Sequence, residues 1–144
     1  MIGWLLEWID AARHIRRREC WNADQALGRK GEDLTHRFLE RAGMRVVARN
    51  YRTPSGSGEI DLIAWDKETL VFIEVKTRQS SEYGVPERAI DQDKISRIRR
   101  AALHYSRRAR VPWDRVRFDT VSIVMDASHR IEHHRDVFSV SGPS

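Results

Sequence analysis

The sequence predicts an α/β domain: a mixed central sheet flanked by helices. Two observations carry this. Helix-spaced apolar patterns and strand-like stretches follow one another in the order helix, three strands, helix, two strands. The second helix also separates the third strand from the fourth, which is the crossover a parallel neighbour requires. At 144 residues the chain has the usual size of one domain and can bury a core without disulfides or metals as staples.

The first helix is read over Ala26–Ala42, where Leu27, Leu34, Phe38 and Leu39 share a face. Gly31 and Ala42 are small enough to let it pack closely, and Gly43 supplies a stop. "MRVVARNYR" reads as a strand and "TPSGSG" as a loop. "EIDLIAW", the polar connection "DKET" and "LVFIEVKTR" read as an antiparallel hairpin. "QSSEYGVPER" is an irregular connection. A long basic helix then runs from about Pro86 to Arg108, with Ile90, Ile95, Ile98, Ala101, Ala102 and Tyr105 on its apolar face. "RVRFDTVSIVMD" alternates as a strand, and "HRIEHHRDVFSV" reads as a last, shorter one. The domain is therefore placed at residues 26–138, between an N-terminal arm over 1–25 and a tail over 139–144.

The arm carries Ile2, Leu5, Leu6 and Ile9 at helical spacing, followed by "RHIRRR". Glu7 and Asp10 interrupt the apolar part, and the basic cluster follows it instead of preceding it. Neither a signal peptide nor a spanning helix fits that order. A peripheral arm with a solvated basic end is the plainer reading. An amphipathic helix on a membrane surface or partner is the other. Cys20 is the one cysteine, which excludes an internal disulfide and suits a reducing cytoplasm. The formal net charge of +5 points to an acidic partner, nucleic acid being the usual one.

The hairpin carries charge where core strands usually carry none. Side chains alternate along a strand, so Glu59 and Asp61 share one face. Glu74 and Lys76 share one with Phe72. Ile60, Leu62, Ile73 and Val75 are expected on the opposite, apolar face. Symmetric pairing about a turn at Lys67 and Glu68 sets Asp61 opposite Glu74. Opposed side chains approach to about 5 Å at their Cβ atoms, and two like charges that close are destabilising unless a cation joins them. Carboxylate oxygens are hard ligands suited to Mg²⁺ or Mn²⁺. Lys76 would then orient an attacking water or stabilise transition-state charge. Glu32, just after a glycine in "GRKGE", is a further acid that a helix packed beside the hairpin would deliver to the same place. The plainer explanation of the charges is a solvated strand face.

"GRKGEDLTHRFLERAGMRVVARNYRTPSGSGEIDLIAWDKETLVFIEVKTR", continued through "YGVPERAIDQDKISRIRRAALHY", resembles the YraN-like bacterial proteins over residues 26–138. That family is similar to the restriction-endonuclease-like superfamily, with its PD-(D/E)XK site, and in layout to archaeal Holliday-junction resolvases. The resemblance implies a restriction-endonuclease-like fold and a nuclease site made of Glu32, Asp61, Glu74 and Lys76. Asp61 follows Ile60, so the superfamily's proline is absent. Glu59 is auxiliary, and Gln92 or Lys94 takes the supporting role that some members give to a helix residue. The implied ion, Mg²⁺ or Mn²⁺, is held by Glu32, Asp61, Glu74 and a backbone oxygen of Val75. Resolvases of this layout act as dimers, which admits a homodimer here.

On the second helix, Lys94, Arg97, Arg100 and Arg107 form a candidate phosphate track, which would position nucleic acid without reading its sequence. A solvated helix face is the plainer alternative. His133 and His134 are adjacent and point to opposite sides of a strand, so with His129 they read as surface or packing residues. Trp65 and Trp113 read as packing residues near strand ends, with base stacking as the alternative. Trp4, Trp8 and Trp21 fall in the arm. The expected protein is a cytoplasmic, Mg²⁺-dependent endonuclease acting on nucleic acid, DNA in preference to RNA, with a branched duplex as the special case. A non-cleaving nucleic-acid-binding or adaptor module on the same fold is the alternative. A protein-interaction domain is the third reading.

Overall fold

The computed structural model describes residues 25–79, 92–127 and 129–143. The arm with Trp4, Trp8, Cys20 and Trp21, the connection after β3 and the stretch expected as the start of the second helix, Ile90 included, lie outside the described residues. Helix α1 covers residues 25–41. Strands β1 (Arg45–Arg52), β2 (Glu59–Asp66) and β3 (Thr69–Arg78) follow, then α2 (Gln92–Ala109), β4 (Val116–Val124) and β5 (Ile131–His134). The expected order gains one element, a single 3-10 turn at Trp113–Arg115 just before β4. The last strand is shorter than its expected span of 129–140, because pairing with β4 ends at His134.

The five strands lie in chain order, β1 to β5. All neighbours are antiparallel except β3 and β4, which α2 joins in parallel. β3 is therefore central and covered on both faces, and Leu70, Val71, Phe72 and Ile73 are all buried. One core layer lies against α1, where Leu34, Phe38 and Leu39 meet Leu62, Ala64, Val71, Ile73 and Val121. The other lies against α2, where Ile98, Ala101 and Ala102 meet Ile63, Leu70, Phe72 and Phe118. Among the described residues no helix is long and apolar enough to cross a membrane.

α1 ends as its sequence predicts. Gly43 has φ +89°, Gly43 N donates to Glu40 O and Met44 N to Leu39 O, and Met44 buries against Leu39. This is the Schellman arrangement, in which a left-handed residue lets the chain satisfy the last helical carbonyls. α2 closes the same way, with Arg110 (φ +56°) in the place glycine usually takes. The hairpin turn is tight: Asp66 pairs with Thr69, and Lys67 alone of the two turn residues has positive φ, +55°.

The expected alternation fails at one point. Leu62, Ile73 and Val75 face α1, but Ile60 packs on the α2 side with Ile63 and Phe72. The cause is a break in the β1–β2 ladder. Arg49 pairs with Leu62 and Tyr51 with Ile60, while Asn50, at φ +49°, and Asp61 between them are not partners. A break in regular pairing shifts every following side chain to the other face. A second register shift, between Val46 and Ala48, lies further along the same pair. The segment from 139, expected as a tail, is tied down. Arg99 binds Ser141 and the Gly142 carbonyl, and Trp113 Nε1 donates to Val140 O at 3.1 Å. Trp113 and Phe138 close the α2-side core, so Trp113 packs as expected.

Candidate active site

The site is assembled where α1, the ladder break and the N-terminal turn of α2 meet at β3. α1 comes close because position 31 is glycine: a Cβ there would stand 2.0 Å from Thr77 Oγ1 on β3. That approach carries Glu32 to the sheet. Its carboxylate accepts from Asn50 Nδ2 at 2.9 Å, with Arg49 at 3.8 Å, and its side chain is only 12% exposed. Asn50 is thus the residue of the ladder break and also the clamp on Glu32.

Asp61 stands across from Asn50. The β2–β3 register is the one that symmetric pairing about the turn predicts, with Leu62 opposite Ile73. Asp61 and Glu74 lie one step beyond that pair. There Asp61 uses its side chain, and Oδ2 accepts the backbone N–H of Val75 at 2.8 Å. In an extended strand the N–H and C=O of one residue point toward the same neighbour, so Val75 also turns its carbonyl toward β2. Burial, then the charge of Glu74 and that of Glu32, push Asp61 up to about 7 despite the Val75 bond and the Lys94 charge.

Glu74 is the buried acid of the central strand, its side chain 5% exposed. Lys94, in the first turn of α2, is ion-paired with Glu74 Oε1. Burial alone would lower the Lys94 pKa, but the Glu74 hydrogen bond and the charges of Glu74, Asp61 and Glu59 raise it. Glu74 and Lys94 form the partition between two halves of a cleft. The half toward α1, about 310 Å³, is lined by Leu27, Gly28, Glu32, Asp61, Val75 and Thr77 as well. The half toward α2, about 240 Å³, adds Glu59, Asp93, Arg97 and Ile98.

The structure therefore brings together Glu32, Asp61, Glu74, Val75, Glu59, Lys94 and Arg97. Lys76 is half-buried further along β3, in register with Ser122, and is not among the residues lining the cleft. Gln92 begins α2 at an exposed position outside both halves. Arg100 donates to the Ser57 carbonyl at 3.2 Å and so ties the β1–β2 loop to α2. Arg107 stands near the far end of α2, roughly 20 Å from Lys94 at the helical rise. Among the described residues no group of three or more His, Cys, Asp or Glu is arranged to hold a metal ion.

Sequence reasoning missed Asn50, Asp93 and Thr77, and it missed a second polar cluster altogether. Asp119 of β4 is fully buried and accepts from Arg117, His133 Nε2 and the Asp136 backbone N–H. Arg117 also reaches Asp66 at 3.0 Å. Burial opposes the Asp119 charge, but these bonds and the Arg117 charge outweigh it and hold the carboxyl at about 2. Arg117 and Asp119 sit two apart in an alternating strand, which is the signal that a pair shares a face. His133 packs edge-on to Phe38 and His134 is exposed, as their adjacency on a strand predicts.

Fold and cleft together define a three-layer α/β domain whose central strand carries a buried acid paired to a helix lysine. The chain belongs to Uncharacterised protein family UPF0102, whose model matches residues 31–123. It is 51% identical over 138 residues to a UPF0102 protein of Solibacter usitatus (strain Ellin6076), covering 96% of this chain and 100% of the relative. It is 48% identical to one of Nocardia farcinica (strain IFM 10152), over 79% of this chain and 90% of the relative. It is 38% identical to one of Dictyoglomus thermophilum (strain ATCC 35947 / DSM 3960 / H-6-12), over 75% and 90%.

Proposed function

We propose that this protein is a cytoplasmic, metal-dependent endonuclease of the restriction-endonuclease-like kind, cleaving phosphodiester bonds in nucleic acid, DNA in preference to RNA. The observation that carries the reading is the acid cluster at the cleft. Glu32, Asp61 and Glu74 line one cleft, and burial with the charges of Glu74 and Glu32 pushes Asp61 up to about 7. Acids so placed are costly to the fold, and strongly perturbed groups in a cleft mark functional sites.

By donor type, carboxylate and carbonyl oxygens, the set suits a hard divalent ion, Mg²⁺ or Mn²⁺. As they stand these groups are not arranged around an ion; Glu32, Asp61, Glu74 and the Val75 carbonyl would hold one once Lys94 withdraws from Glu74. When bound, the ion supplies Lewis acidity toward the phosphate and the attacking water. The remaining work falls to the chain. Asn50 fixes Glu32 from the side, and the Val75 N–H fixes Asp61. Lys76, two residues along β3 from Glu74, would reach the water or a phosphate oxygen from outside the cleft lining. Lys94, Arg97, Arg100 and Arg107 follow the phosphate backbone along α2, with a branched or distorted duplex as the favoured form and a homodimer as the arrangement that would hold two strands.

One observation favours a second reading, a nucleic-acid-binding or adaptor module that does not cut: the Lys94–Glu74 pair already compensates one buried acid without an ion. The two separate when the purified protein is incubated with linear, nicked and four-way-junction DNA in Mg²⁺, Mn²⁺ or chelator, beside Lys76→Ala. Metal-dependent cleavage that the mutant loses is the expected outcome. Salt-sensitive binding with no cleavage in either metal would instead establish the module.

A further inference from the structure

Lys94 is placed as a cation at the acid cluster. Its ammonium is ion-paired with Glu74 Oε1, the charges of Asp61 and Glu59 act on it, and it lines both halves of the cleft. The two partners differ in freedom. Glu74 is held on the central strand with its side chain 5% exposed, while Lys94 is 48% exposed on a flexible stem at the start of a helix. The acid is fixed, and the lysine is the partner that can withdraw. Like charges repel, so an ammonium seated on Glu74 opposes a divalent ion at the same carboxylate.

We infer that Lys94 is a built-in competitor for the divalent cation, compensating Glu74 when no ion is present and yielding that carboxylate only by swinging out of the cleft. The inference rests on the proposed metal site and adds a regulation of it. A site whose competent form is only partly populated binds with an affinity reduced by that fraction. If Lys94 is seated nine-tenths of the time, removing its charge tightens metal binding roughly tenfold. The metal-free protein should lose stability at the same time, because Glu74 is then a buried charge with one partner fewer. Metal would restore more stability to such a variant than to the wild type, since the gain follows the tighter affinity.

The test is a Mn²⁺ titration of the full chain without nucleic acid, following free Mn²⁺ by electron paramagnetic resonance. It compares the wild type with Lys94→Met, Lys94→Gln and Lys94→Arg, with melting curves in chelator and in Mn²⁺. Expected are roughly tenfold tighter binding in Lys94→Met and Lys94→Gln, near-wild-type affinity in Lys94→Arg, and a larger Mn²⁺-induced rise in melting temperature for the two neutral variants. A purely packing role for Lys94 would lower stability without tightening Mn²⁺. Binding by wild type with equal or weaker binding by both neutral variants overturns the inference and leaves the metal site standing. Absence of Mn²⁺ binding in all four proteins overturns the metal site and the inference together.

Discussion

Asp61 joins the break in the sheet to the chemistry of the cleft. It interrupts the β2 ladder, takes the Val75 N–H with its side chain and faces two other acids. Its ionised form is opposed first by burial and then by Glu74. Asp61→Asn keeps a hydrogen-bond acceptor and removes the charge, so in chelator at pH 8 it should stabilise the protein by about 2 kcal/mol, read by urea unfolding. The same variant should lose metal binding; a destabilised Asp61→Asn would show that the carboxylate is held by something other than these like charges. At this scale the sequence was informative about residue type. Asp61 and Glu74 stood out as acids beside apolar neighbours and Glu32 as a helix acid just after a glycine, and all three line one half of the cleft. It offered Lys94 only as a supporting residue by resemblance and as one of several cations on its helix, because only the docking of α2 shows its pairing with Glu74. It was silent on Asn50, since a ladder break leaves no period to read.

Among the elements, α1 matters most to the site, because its approach to β3 depends on one missing side chain. Gly31→Ala places a methyl group 2.0 Å from Thr77 Oγ1. The helix must shift, at a cost of about 1–3 kcal/mol, and Glu32 shifts with it. Thermal unfolding should show the loss, and Thr77→Ala in the same chain should restore part of it; no loss in the single variant would contradict the close docking. The elements themselves were legible. The Gly43 stop, the two-residue hairpin turn and the crossover helix are each written in local chemistry or spacing. Strict alternation through Ile60 was wrong because the period of two holds only while the ladder is unbroken. The last strand was overextended because its alternating pattern continues into Phe138 and Val140, which pack on the α2 side after strand pairing has ended.

For the molecule as a whole, stability and function draw on different polar clusters. The Asp119 cluster sits among β2, β4 and β5 and has none of its residues in the cleft. The Asp119 carboxyl titrates at about 2 in the fold against 3.8 ordinarily. A folded value below the unfolded one stabilises above the unfolded value, and the contribution is lost as pH falls toward the folded one. About 2 kcal/mol should therefore vanish between pH 4 and pH 2, seen as a fall in urea-unfolding free energy that Asp119→Asn abolishes. An unchanged acid profile in that variant would assign the fall to other carboxyls. Fold class and the two-layer core were legible from the order and spacing of elements. The Asp119 network was not, since it draws Asp66, Arg117, His133 and Asp136 from separate parts of the chain.

The central claim is that the acids of the cleft serve phosphodiester cleavage, and one measurement tests it most directly: the yield of cut strand from end-labelled linear, nicked and four-way-junction DNA in Mg²⁺ or Mn²⁺, for wild type beside Glu74→Gln prepared identically. Wild type should give product on at least one of these forms, abolished by chelator, and Glu74→Gln none above the chelator control. Equal cleavage by both proteins, or no cleavage by the wild type on any form, would contradict it.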